Sequence, residues 1–128
     1  MKLSIFMAIA AVLALVFGLA FILVPTQTMS LYGITLEAGG QWVGRYLGSA
    51  FLGIAVLTWR ARKAQQGDAL RSVILGDLVV SVTGLIVAVL NKISGPGNAL
   101  VWSTVVIYIF LTAGFGYFQF AKPRLAGA

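Results

Sequence analysis

Residues 41–59 read QWVGRYLGSAFLGIAVLTW. The stretch is almost wholly apolar. At 1.5 Å per residue, a helix of that length is about 28 Å long, close to the hydrocarbon thickness of a bilayer. It carries one cation, Arg45, in its first turns. Glycines stand at Gly40, Gly44 and Gly48, one per turn, and Gly53 adds a small residue on a neighbouring face. Small residues at this spacing let another helix approach closely. The ridge suits either the chain's own first helix or a second protein.

Similar runs lie on both sides of this stretch. Upstream, Lys2 precedes an apolar run over 3–24, and Pro25 ends it. The run continues through 21–24 and so outlasts the apolar core of a signal peptide. Ala10, Ala14 and Gly18 form a small-residue stripe along it. Residues 25–40 are mixed, and they predict a short interfacial helix over about 26–32, ended by Gly33 in a left-handed conformation. Downstream, 60–71 (RARKAQQGDALR) is the strongly polar stretch of the chain, with a turn signal at Gly67-Asp68. A third helix is expected over about 72–93 with Asp77 inside it, then a Ser-Gly-Pro-Gly turn, then a fourth helix over about 98–121. The expected fold is therefore all-α: a bundle of four transmembrane helices (about 3–24, 41–59, 72–93 and 98–121) in a single integral membrane domain spanning 1–128.

Composition agrees. The chain is 60% hydrophobic and 9% charged, whereas soluble domains average about 45–50% apolar and about 25% charged. Cysteine and histidine are both absent, and the acids are Glu37, Asp68 and Asp77. Disulfides, thiolate or imidazole metal ligands and the commonest general base are excluded. No nucleophile stands beside a base, so no catalytic residues and no metal site are expected, and no cofactor is predicted. The net charge of +6 comes from loop clusters that topology explains, not from a nucleic-acid surface.

Seven of the nine basic residues fall on one side: Lys2, Arg60, Arg62, Lys63, Arg71, Lys122 and Arg124. Lys92 is on the other, and Arg45 lies within a helix. Positive loops favour the cytoplasm, so both termini are expected inside a bacterial inner membrane that the chain crosses several times. Trp42, Tyr46 and Trp102 would sit near the outer interface, and Trp59 and Tyr117 near the inner one, as two aromatic belts.

Arg45 and Asp77 are the charged candidates for a ligand or partner. Arg45 could hold an anionic group, or it could snorkel to the headgroups or pair with Glu37. Asp77 cannot snorkel far. It would take a hydrogen bond from Tyr117 or Ser4, pair with Arg60, or titrate as a proton or cation relay. Helical rise puts Arg45 and Asp77 about 15 Å apart along the axis, too far to pair. Trp102, Tyr108, Phe110, Phe115, Tyr117, Phe118 and Phe120 make the fourth helix aromatic, a wall able to cradle a lipid-like quinone, sterol or pigment, or to pack against lipid.

The order of a first helix ending at Pro25, then Leu31-Tyr32-Gly33-Ile34, Arg45-x-x-Gly48, Gly53 and Trp59-Arg60 resembles small bacterial four-helix membrane proteins of unknown function. It is more distantly similar to DoxX-like proteins and to ergosterol-biosynthesis scaffold proteins. The likeness covers the whole chain in topology and about 25–60 in residues. It implies a four-helix bundle that binds a partner and has no catalytic residues to transfer. The leading expectation is a small subunit or scaffold in a membrane complex or homo-oligomer, surrounded by membrane lipids. The alternatives are an oligomeric transporter or channel with Asp77 titrating, and a lipid-, quinone- or pigment-binding protein.

Overall fold

The computed structural model describes residues 1–121; the basic tail with Lys122 and Arg124 lies outside the described residues. Among the described residues the chain is all-helical, with five helices: α1 (Leu3–Leu23), α2 (Pro25–Leu31), α3 (Ala38–Ala61), α4 (Asp68–Ser94) and α5 (Val101–Phe120). Three of these, α1, α4 and α5, are long and apolar enough to cross a membrane, which marks a membrane protein. α3 is long enough, but Arg45 and its glycines make it less apolar than the others. Polarity is distributed accordingly. Thr58, Asp77 and Ser81 are buried, while Val56, Val79, Ile86 and Val106 face outward, the reverse of a water-soluble domain.

Helix ends follow local chemistry. Pro25 opens α2 at its first position, where a missing N–H costs nothing. Gly33 follows with φ of +74°. α4 begins at Asp68, four residues before the expected start, so the polar stretch contributes a helical turn and Arg71 becomes helical. α5 begins at Val101, three residues later than expected. The reason is Asn98: its side-chain oxygen accepts from the Leu100 N–H at 3.0 Å, holding a local turn that competes with the helix.

The helices form two hairpins. In the first, α1 packs along α3, and the closest approach is at Gly18 and Gly48. A Cβ on Gly48 would stand 2.7 Å from the Gly18 carbonyl oxygen and 3.0 Å from the Ile22 backbone nitrogen. Gly44 faces Pro25 and Phe21. The glycine ridge is therefore satisfied within the chain at these two positions, and only there. Gly40 has only Leu36 of its own segment nearby, because it lies beyond the end of α1. Gly53 faces open space; five residues on from Gly48, it is rotated about 140° off the ridge. In the second hairpin α4 packs along α5, with the Tyr108 ring laid on Gly84.

The hairpins join at the end that carries the basic loop. There Leu3, Phe6, Met7, Ala10, Leu70, Ile74, Phe115 and Phe118 form the core. Phe6 meets Phe115 edge-on at 4.8 Å between centroids and lies over Gly114. At the far end the joining is polar. The Asn98 N–H donates to the Tyr32 carbonyl at 2.7 Å, and its side-chain amide donates to the Leu31 carbonyl at 3.2 Å.

Gly48→Val would force the α1 and α3 backbones apart and should destabilise the protein by about 1–3 kcal/mol. Gly53→Val should stay within about 0.5 kcal/mol of the parent. Denaturation in mixed micelles of both variants checks the pair.

Candidate functional site

Between the packed core at the basic end and the Asn98 hydrogen bonds at the far end, a cleft opens between the hairpins. Its volume is about 600 Å³, within the range of small-molecule sites. One wall is Leu13, Ala14 and Phe17 of α1 with Phe51 and Ile54 of α3. The facing wall is Val80 and Gly84 of α4 with Ile107, Tyr108 and Leu111 of α5. Met29, Tyr32 and Ile34, from α2 and the turn after it, close the far end. Leu47 and Ala50 on α3 and Thr83 and Val87 on α4 line the cleft and remain exposed. They mark a lateral mouth between α3 and α4.

Asp77 lies at the floor of this cleft. It is 9% exposed, and the Thr58 hydroxyl donates to its Oδ2 at 2.7 Å. The Ser81 hydroxyl donates to the Asp77 backbone carbonyl at 2.7 Å. The partner is thus Thr58, and not the Tyr117 or Ser4 hydroxyl or the Arg60 guanidinium expected from the sequence. Helical rise alone sets Asp77 level with Ile54 on the facing helix; Thr58 is one turn further on the same face, about 6 Å away along the axis, and its hydroxyl covers the difference. That spacing was the signal; the rest of the lining is mostly apolar, with the polar groups of Asn91, Thr104 and Tyr108 set along the cleft away from Asp77.

The other candidates lie elsewhere. Arg45 donates from Nε to the Ile22 carbonyl at 3.3 Å, with its guanidinium 5.1 Å from the Trp42 ring centroid. Ile22 is in the last turn of α1, where carbonyls lack helical partners and carry the negative end of the dipole. Arg45 therefore caps α1; Glu37 is not its partner, and it does not reach the cleft. Trp102 is 55% exposed, with the Lys92 ammonium 5.8 Å from its ring centroid. Tyr117 is also exposed and packs edge-on against Phe118 at 5.1 Å. The aromatic residues of α5 do not form one wall. Tyr108 and Phe115 line the cleft, Phe110 and Phe118 surround Phe6, and Trp102, Tyr117 and Phe120 point outward.

No family model, curated protein or solved structure matches the chain. The cleft's own chemistry therefore carries the functional reading: a large apolar surface with one carboxyl group at its base. That arrangement can hold an apolar molecule and fix one polar end of it.

Thr58→Val keeps the side-chain volume but leaves Asp77 Oδ2 without its donor. It should lower stability by about 1–3 kcal/mol, with Thr58→Ser close to the parent. Unfolding in detergent of the two variants tests this.

Proposed function

We propose that the protein is a non-catalytic integral membrane protein that binds a lipid-like small molecule in the cleft between its hairpins. The observation that carries this reading is the cleft itself: about 600 Å³, apolar, and open sideways between α3 and α4. In a bilayer such a mouth faces the acyl chains, so an apolar ligand enters without crossing water. In this reading α3 spans alongside α1, α4 and α5, giving four crossings. Both termini lie on the cytoplasmic side of a bacterial inner membrane, as the basic loop supports.

The subunit or scaffold reading rests in part on the glycine ridge as a docking face, and the resemblance to DoxX-like and ergosterol-scaffold proteins on the order of motifs over about 25–60. Gly44 and Gly48 are occupied by α1, which moves the weight of the observations to ligand binding. A transport role for Asp77 would need a route past Phe6, Phe115 and Phe118, and these are packed into the core at the basic end.

Organic extraction of the purified protein should release one small molecule per chain, enriched over bulk lipid. Val87→Trp, which places a bulky ring at the mouth, should carry less of it. Recovery of bulk membrane lipid alone from both proteins would overturn the reading. For topology, a single cysteine at Ser94, in a chain with no native cysteine, should label from the periplasmic side; labelling only from the cytoplasm would reverse the orientation.

A further inference from the structure

The polar groups at the floor of the cleft differ in what they still offer, and this narrows the ligand. The inference rests on the cleft-binding reading above. The Thr58 hydroxyl hydrogen is committed to Asp77 Oδ2, the Ser81 hydroxyl hydrogen to the Asp77 carbonyl and, at the mouth, the Thr83 hydroxyl hydrogen to the Val79 carbonyl at 2.8 Å. The group left to meet a ligand at the floor is the carboxyl of Asp77, which lines the cleft. A carboxylate offers acceptors only. No basic side chain pairs with it among the described residues: Thr58 is its side-chain partner, Arg60 is exposed, Arg62 stacks on the Trp59 ring at 4.0 Å, and Arg71 donates to the Gln119 carbonyl at 3.1 Å.

A carboxylate buried in hydrocarbon without a counter-charge is costly unless it is neutralised, by a proton or by a bound cation. A cationic head removes that cost and supplies the donors the floor lacks, through charge-assisted hydrogen bonds. Against the ionised carboxyl, a quinone carbonyl or a fatty-acid carboxylate brings only further acceptors, and the other hydroxyl and amide groups of the cleft, at Thr104, Tyr108 and Asn91, line it away from Asp77. A phospholipid amine would bring its phosphate into an apolar wall. We infer that the cleft takes a single-chain aliphatic amine, its ammonium against Asp77 and Thr58 and its hydrocarbon chain along Phe51, Ile54 and Tyr108 toward the far end.

The test is a native mass spectrometry titration of the full chain, in a non-ionic detergent, with oleylamine, oleic acid and decylubiquinone in parallel. The expected result is one oleylamine per chain, bound roughly tenfold or more tightly than either other probe. Asp77→Asn should abolish that preference, since a hydrogen bond to a charged group is worth about a tenfold change or more. The selectivity order of the parent protein is itself a readout, so the inference stays open to refutation if Asp77→Asn does not fold. Oleic acid or decylubiquinone binding as tightly as the amine, or a preference that survives Asp77→Asn, would overturn the inference. If the probes still compete for one site that Val87→Trp weakens, the cleft reading survives that result. If no probe binds, or Val87→Trp binds all three as the parent does, the cleft reading falls and the amine inference with it.

Discussion

At the crossing of α1 and α3, Gly18 and Gly48 bring two helix backbones together with no side chain between them. Much of the architecture depends on that approach. It sets the first hairpin at a spacing that longer side chains would forbid, and Tyr108 over Gly84 sets the second in its own way. Between the hairpins, Leu13, Ile54, Val80 and Leu111 line a gap and not a filled core. The hairpins close at the basic end, where Phe6, Phe115 and Phe118 interdigitate, and stand apart beyond it. The cleft follows from uneven packing, with no loop or inserted element needed to build it.

The charged side chains inside the bundle separate into two kinds. Arg45 and Arg71 each reach across to a carbonyl in the last turn of a neighbouring helix, Ile22 of α1 and Gln119 of α5. Both place a cation at the negative end of a helix dipole, and both are thereby accounted for by the fold. Asp77 has no such helix-end partner. It faces the cleft with a single hydroxyl donor, and this difference makes it the group whose chemistry the fold leaves open.

Much of the framework was legible in the sequence. Hydropathy located the long helices, Pro25 and Gly33 bounded the short one, and the Gly44–Gly48 spacing pointed to a close crossing. Boundaries slipped where side chains outside the helix intervened, as Asn98 delayed α5. The partners of Arg45 and Asp77 were not legible for a common reason. Each depends on a rotation about the helix axis that axial counting does not supply, and one of them is a backbone carbonyl, which no residue type announces. The aromatic wall expected of α5 divides among three directions because seven aromatic residues over 102–120 cannot share one face of a helix. The cleft was invisible because a void between apolar walls has the same composition as a filled core.

Asn98 also fastens the two hairpins together, beyond its place in the turn. The two hairpins share a covalent connection only through 62–67 at the basic end, beside the aromatic core. At the far end two hydrogen bonds from Asn98 hold the second hairpin to the turn after α2. Hydrogen bonds of this kind contribute about 0.5–1.5 kcal/mol each, far less than a buried cluster of aromatic and aliphatic side chains. The bundle therefore has the compliance of a clothes-peg: stiff where the chain connects and the core sits, and yielding at the opposite tip. Opening the cleft at that tip would cost little more than those two hydrogen bonds.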